Sequence, residues 1–166
     1  KGTFSSGFPQ DLSGSSGFDT SAHTLFTTTL LLERYIGAAD MVLRAALPQQ
    51  PRNGEEKKRI AAFFTARPGP GVSQEKAARK VFEHFLPRAY RRPLDPVELE
   101  DALERFRRFR SEGLDFEAAA REVARVALIS PKFLIKTEKR SPDGREVEVD
   151  SWGLASRLSY FLWSSM

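Results

Sequence analysis

The sequence contains no cysteine among its 166 residues, which excludes a disulfide framework, Cys-ligated zinc and covalent haem attachment within it. The redox compartment stays open, because a cysteine-free chain suits either environment. Histidine is almost as scarce. His23 and His84 stand far apart, without the spacing that gathers metal ligands. No apolar run is long enough to span a bilayer, and no charged-then-apolar leader stands at the start. The first residue is Lys1, so targeting is not legible from this end. No G-x-S-x-G elbow, G-x-G-x-x-G turn or G-x-x-x-x-G-K-[ST] cradle occurs, and "RPGPG" is turn chemistry. Period-two alternation is nearly missing, so strand content is expected to be minimal.

What is present points to a helical core. Forty per cent of residues are hydrophobic and 13 are Phe, enough for one packed interior built on large side chains. The net charge of +4 invites a nucleic-acid reading, but the distribution argues against it. Between Arg79 and Arg110 nine basic residues stand against six acidic ones, a balance that suits solvated helix faces and not a nucleic-acid footprint.

Four regions follow along the chain. Residues 1–48 open with a Gly/Ser-rich irregular segment carrying Phe4, Phe8 and Phe18, expected to lie over a surface. A helix with a wide apolar face follows from a Thr27 cap toward Pro48. Its small Gly37, Ala38 and Ala39 would admit a neighbouring helix closely. Residues 49–72, with Pro51, Pro68 and Pro70, read as a linker around a short helix that Phe63 and Phe64 tie down.

Residues 73–140 form a helical domain. Ser73 caps a helix whose interior Pro87 predicts a kink or break near 83–86. Asp95, Pro96 and Glu98 make a capping box with Leu94 and Leu99 spaced as a staple, and Gly113 suits the left-handed exit. Asp115 caps a further helix that Pro131 terminates, with Phe116, Ala119, Val123, Val126 and Ala127 facing inward. Residues 141–166 begin another helical domain: a turn, at most a short extended piece at 146–149, then a helix capped by Asp150 or Ser151. That last helix is apolar around most of its circumference and calls for burial on more than one side. The expected fold is all-α, a multi-helix bundle-like array behind an irregular N-terminal segment, with short loops joining helices that pack as neighbours.

Candidate sites are few. Most carboxylates sit at caps or on solvent faces, where helix dipoles and i, i+4 neighbours account for them. Asp11 and Asp19 lack such a task, but a calcium loop needs more oxygens at tighter spacing. The sequence offers no metal site and no catalytic constellation. The stretch left over from packing is Tyr90–Arg91–Arg92 before Pro93. Its arginines complement a helix C-terminus and fork onto carboxylates of the next helix, or else bind an anionic ligand.

Three stretches also carry a resemblance. "FPQDLSGSSGFDTSAHTLFTTTLLLERYIGAAD" resembles the end of one domain, and "ARKVFEHFLPRAYRRPLDPVELE" with "GLDFEAAAREVARVALISPKFLIKTE" resembles a second. "LASRLSYFLWSSM" resembles the opening of a third. All three occur in the large multidomain proteins abundant in planctomycetes and related bacteria, whose domains are mostly of unknown function and often accompany a c-type cytochrome domain. The resemblance implies an internal fragment of an exported protein, its partners being the flanking domains of the same polypeptide and its haem, where present, lying outside this chain. Strong helix caps and cores beside no convergent polar site imply, for this chain, a non-catalytic helical packing or interaction module. The alternative is a contribution to an oxidoreductase or polysaccharide-processing site completed by the flanks.

Overall fold

The computed structural model describes residues 29–135 and 150–163. Within them the chain is all-α, with no strand and a lone antiparallel bridge between Gly69 and Val72. The helices are α1 (Thr29–Ala46), α2 (Gly54–Phe63), α3 (Gln74–Tyr90), α4 (Pro96–Ser111), α5 (Phe116–Ile129), the single turn α6 (Pro131–Leu134) and α7 (Ser151–Trp163). Thr27, the phenylalanines of the opening, Asp11, Asp19, His23 and the stretch 146–149 lie outside the described residues.

Local chemistry sets most helix starts. The side chains of Ser73, Asp95 and Asp115 accept from backbone N–H groups in the first turns of α3, α4 and α5. Both halves of the Asp95/Glu98 capping box are made. Asn53 caps α2 in the same way, and Ser130, which ends α5, caps α6. Gly113, at φ 96°, closes α4 with the Leu114 N–H returning to the Phe109 carbonyl, a glycine-type helix exit.

Of the kink or break expected near 83–86, the break does not occur, since α3 runs on through Pro87 to Tyr90. Pro87 falls in the last turn, where few backbone bonds remain to be lost. The carbonyl facing its ring belongs to exposed Glu83, and the His84 carbonyl is taken by the Arg88 guanidinium.

The core is assembled around α5, which packs against α1, α3, α4 and α6. Its Ala119, Ala120, Ala124 and Ala127 are buried, and side chains of that size let four neighbours approach one axis. A chain of rings fills the space between: Phe63 on Phe64 and Phe85, Phe64 on Phe116, Phe116 on Phe106, and Phe106 on Phe82, with centroids 4.9 to 6.3 Å apart. Most meet edge to face, which adds about 0.5–1.5 kcal/mol per pair beyond simple burial. The stretch read as a linker supplies Ile60, Phe63 and Phe64 to this core.

The wide apolar face expected for α1 is covered only in part. Ala39 is buried, and Leu47 just beyond the helix joins the core, whereas Leu32, Ile36, Met41 and Val42 are exposed. Gly37 meets no neighbouring atom within 4 Å of an added Cβ.

Candidate functional site

The two sequence stretches "AYRRPL" and "SPKFL", some forty positions apart, meet in space. Tyr90 ends α3, and Arg91 follows with φ 58°. This is the left-handed region, where glycine is the usual occupant and the Cβ of any other residue costs about 1–2 kcal/mol. The conformation lets the backbone N–H groups of Arg91 and Arg92 both return to the Pro87 carbonyl. What the arginine side chain adds is a reach to α6: its Nη2 donates to the Phe133 carbonyl, and its guanidinium lies 5.3 Å from the centre of the Phe133 ring. A glycine would hold the turn and lose this latch.

Arg92 turns the other way. It forks onto Glu98, Nη1 to Oε2 at 2.9 Å and Nη2 to Oε1 at 2.6 Å. Glu98 points inward from the first turn of α4, its side chain only 8% exposed. Its Oε2 also accepts the Asp95 N–H at 3.1 Å, and Lys132 brings Nζ to 2.7 Å from Oε1. Both oxygens thus carry two donors each, and the carboxylate has no acceptor position to spare. Tyr90 lies beside the group, its ring centre 5.7 Å from the Arg92 guanidinium and 5.9 Å from the Lys132 ammonium.

The electrostatics follow from these contacts. The Arg92 fork holds the Glu98 carboxyl at a pKa of about 2, against the opposing effect of burial and with further help from Lys132. Arg92 is raised in turn, chiefly by Glu98. Burial pushes the Tyr90 hydroxyl up, with Lys132 opposing. Glu98 therefore stays ionised near neutral pH and has neither a proton to give nor a free lone pair to take one. Its chemistry here is that of a fixed counter-ion, tying α3, α4 and α6 together at one point.

A small cavity of about 140 Å³ lies against this cluster between α3, α4 and α5, with Tyr90, Glu98, Arg105 and Lys132 on its polar side and Leu86 and Val123 on its apolar one. Its size suits a few water molecules. Among the described residues no three His, Asp or Glu side chains gather to hold a metal ion, and no helix is long and apolar enough to cross a membrane. His84 sits half-buried on α3.

The structure thus brings Tyr90 and Arg92 into one cluster and sends Arg91 into the neighbouring contact with α6. Sequence reasoning anticipated a fork from these arginines onto a carboxylate of the next helix and missed Lys132, whose signal was its place in "SPKFL". It also missed Glu56, a second buried carboxylate, which accepts the Arg52 N–H at 2.6 Å and the Arg52 side chain at 3.1 Å. These contacts lower its pKa, the backbone bond foremost.

Comparison with known families matches two separate stretches. Residues 2–48 match a family described as a protein of unknown function (DUF1587), and residues 77–138 match one described as a protein of unknown function (DUF1595). The second match contains the whole Tyr90–Glu98–Lys132 cluster. No curated protein and no solved structure matches the chain.

Proposed function

We propose that the chain is a non-catalytic helical packing and interaction module of a larger, exported, cytochrome-c-associated multidomain protein. The observation that carries this reading is the state of the Glu98 cluster, where the most chemistry-bearing side chains are spent on each other. Two further features support it. Matches to two different families within 166 residues suit a polypeptide built from several such units. Helix α7 also presents Trp152, Leu154, Leu158, Phe161 and Leu162 to solvent, which suits a surface that other elements cover. The exported and cytochrome-associated parts of the proposal rest on the family matches together with the resemblance of residues 154–166. With no cysteine here, any c-type haem would be held by another part of the polypeptide.

Amide hydrogen exchange tests the reading on the 166-residue chain and on a polypeptide continuing past Met166. Protection across Trp152–Trp163 should rise in the longer polypeptide while α3 to α5 stay unchanged. Full protection of α7 in the shorter chain would refute the proposal.

A further inference from the structure

Where α3 ends, its last turn and the first half of α7 flank a groove of about 770 Å³ that is open to solvent. Its walls are mostly apolar, with Pro87 and Pro93 on one side and Trp152 and Ala155 on the other. Along α7 the lining positions Trp152, Ala155, Ser156 and Ser159 recur at i, i+3, i+4 and i+7, so one helix face forms the whole wall. Past Trp152 that face carries only small side chains, which allow a facing backbone to come close. An open groove covers one side of its occupant, whereas a small molecule is held by burial of about 70–90% of its surface. A helix laying one face into a trough meets the shape better.

The charge around the groove has one sign. Arg88, Arg91 and Arg92 line it. Among the described residues Arg88 and Arg91 donate to neutral acceptors, the carbonyls of His84 and Phe133, so their charge is not balanced by a carboxylate. Arg92 is balanced by Glu98. A narrower crevice continues from the groove past Arg91, Arg92 and Trp152 to Arg157 and to Lys132, which like Arg92 is paired with Glu98, with Asp150 its lone carboxylate. Asp150 is already engaged as the α7 cap, accepting the Gly153 N–H at 2.6 Å.

We infer that this groove is a docking site for an acidic amphipathic helix, whose apolar face rests on Trp152 and Ala155 and whose carboxylates reach Arg88 and Arg91. The inference rests on the interaction-module reading and adds the chemistry of the partner. Neutralising two unbalanced guanidinium groups gives the charge preference, and the apolar walls supply the contact area that a hydrophilic polyanion would leave unused.

The test uses the full 166-residue chain and a fluorescein-labelled amphipathic peptide of about 14 residues, about 21 Å as a helix. Glu occupies one face and Leu and Ala the other, and a second peptide has Lys for each Glu. Fluorescence polarisation should show the Glu peptide binding at least about tenfold more tightly than the Lys peptide, with affinity falling as salt rises. Arg88→Glu, at an exposed side chain, and Ala155→Glu, which puts bulk and like charge into the trough, should each weaken it about tenfold or more, with circular dichroism unchanged.

Equal affinity for the two peptides, or binding indifferent to both substitutions, would overturn the assignment. So would displacement of the peptide by polygalacturonate at equal carboxylate concentration, which would make the groove a polyanion site instead. If the Glu peptide fails to bind while α7 still gains amide protection in the longer polypeptide, the acidic-helix assignment falls and the module reading stands. Absence of that gain is the separate failure of the module reading.

Discussion

Helices α5 and α7 are of similar length, 14 and 13 residues, and both are rich in apolar side chains, yet they end in opposite environments. Six residues of α5 are buried, whereas Ser156 is the buried residue described on α7. The difference lies in how apolarity is distributed. On α5 the charged Glu117, Arg121, Glu122 and Arg125 share one side and pair within the helix, at 3.0 Å for Arg121 with Glu117 and 2.6 Å for Arg125 with Glu122. The opposite side is free for alanines to meet four neighbours. On α7 Arg157 is the sole charged residue, and Phe161 is 84% exposed. A one-sided helix can be completed by a single core, whereas one that is apolar all round needs cover on every side.

Substitution at matched aromatic positions should separate the two environments most sharply. Phe106→Ala, on α4 between Phe116 of α5 and Phe82 of α3, is expected to lower unfolding free energy by about 3–5 kcal/mol. Phe161→Ala should change it by less than about 0.5 kcal/mol. Urea denaturation of both variants measures the contrast, and an equal loss at the two sites would mean that α7 is part of the same cooperative unit.

The next effect belongs to the Glu98 cluster. Glu98→Gln leaves Arg92 and Lys132 without their shared counter-ion and should cost on the order of 2–3 kcal/mol at neutral pH. The folded-state pKa of about 2 lies below the unfolded value of about 4.3. This contribution is therefore complete above about pH 4.3 and is lost as pH falls through about 2. Stability measured across that window should decline more steeply for the native chain than for Glu98→Gln, and parallel curves would remove Glu98 from the acid limb.

Caps give the smallest difference. Asp95→Ala and Asp115→Ala should each lower global stability by about 1 kcal/mol. Asp150→Ala, at the start of α7, should leave global stability unchanged and show itself only as faster amide exchange across Gly153 and its neighbours. A global loss on Asp150→Ala would place α7 within the main core.

The parts of the fold legible in the sequence were those decided within a few residues. Ser73, Asp95 with Glu98, Gly113, Asp115 and Asp150 each act on backbone groups two to four positions away, and all do so in the structure. What escaped was set at long range. Phe63 and Phe64 tie α2 down as expected, but the partners that do so, the rings of α3, α4 and α5, are far away in the sequence. Glu98 read as half of a capping box, and it is that. Its second role is set chiefly by Arg92, six residues earlier, and the part that escaped is Lys132, which only the folding of α5 brings back to α4. The αL conformation of Arg91 had no local signal, because the sequence carries an arginine where that turn ordinarily takes glycine.

The Arg91 contact with Phe133 also bears on the order of folding. It closes a loop of 42 residues that contains all of α4 and α5, so the chain entropy lost in forming it early is not repaid until both helices are in place. Docking of α6 thus belongs after the transition state. Weakening it with Arg91→Ala should leave the refolding rate nearly unchanged and appear almost wholly as faster unfolding, making this latch a determinant of how long the folded chain persists and not of how quickly it forms.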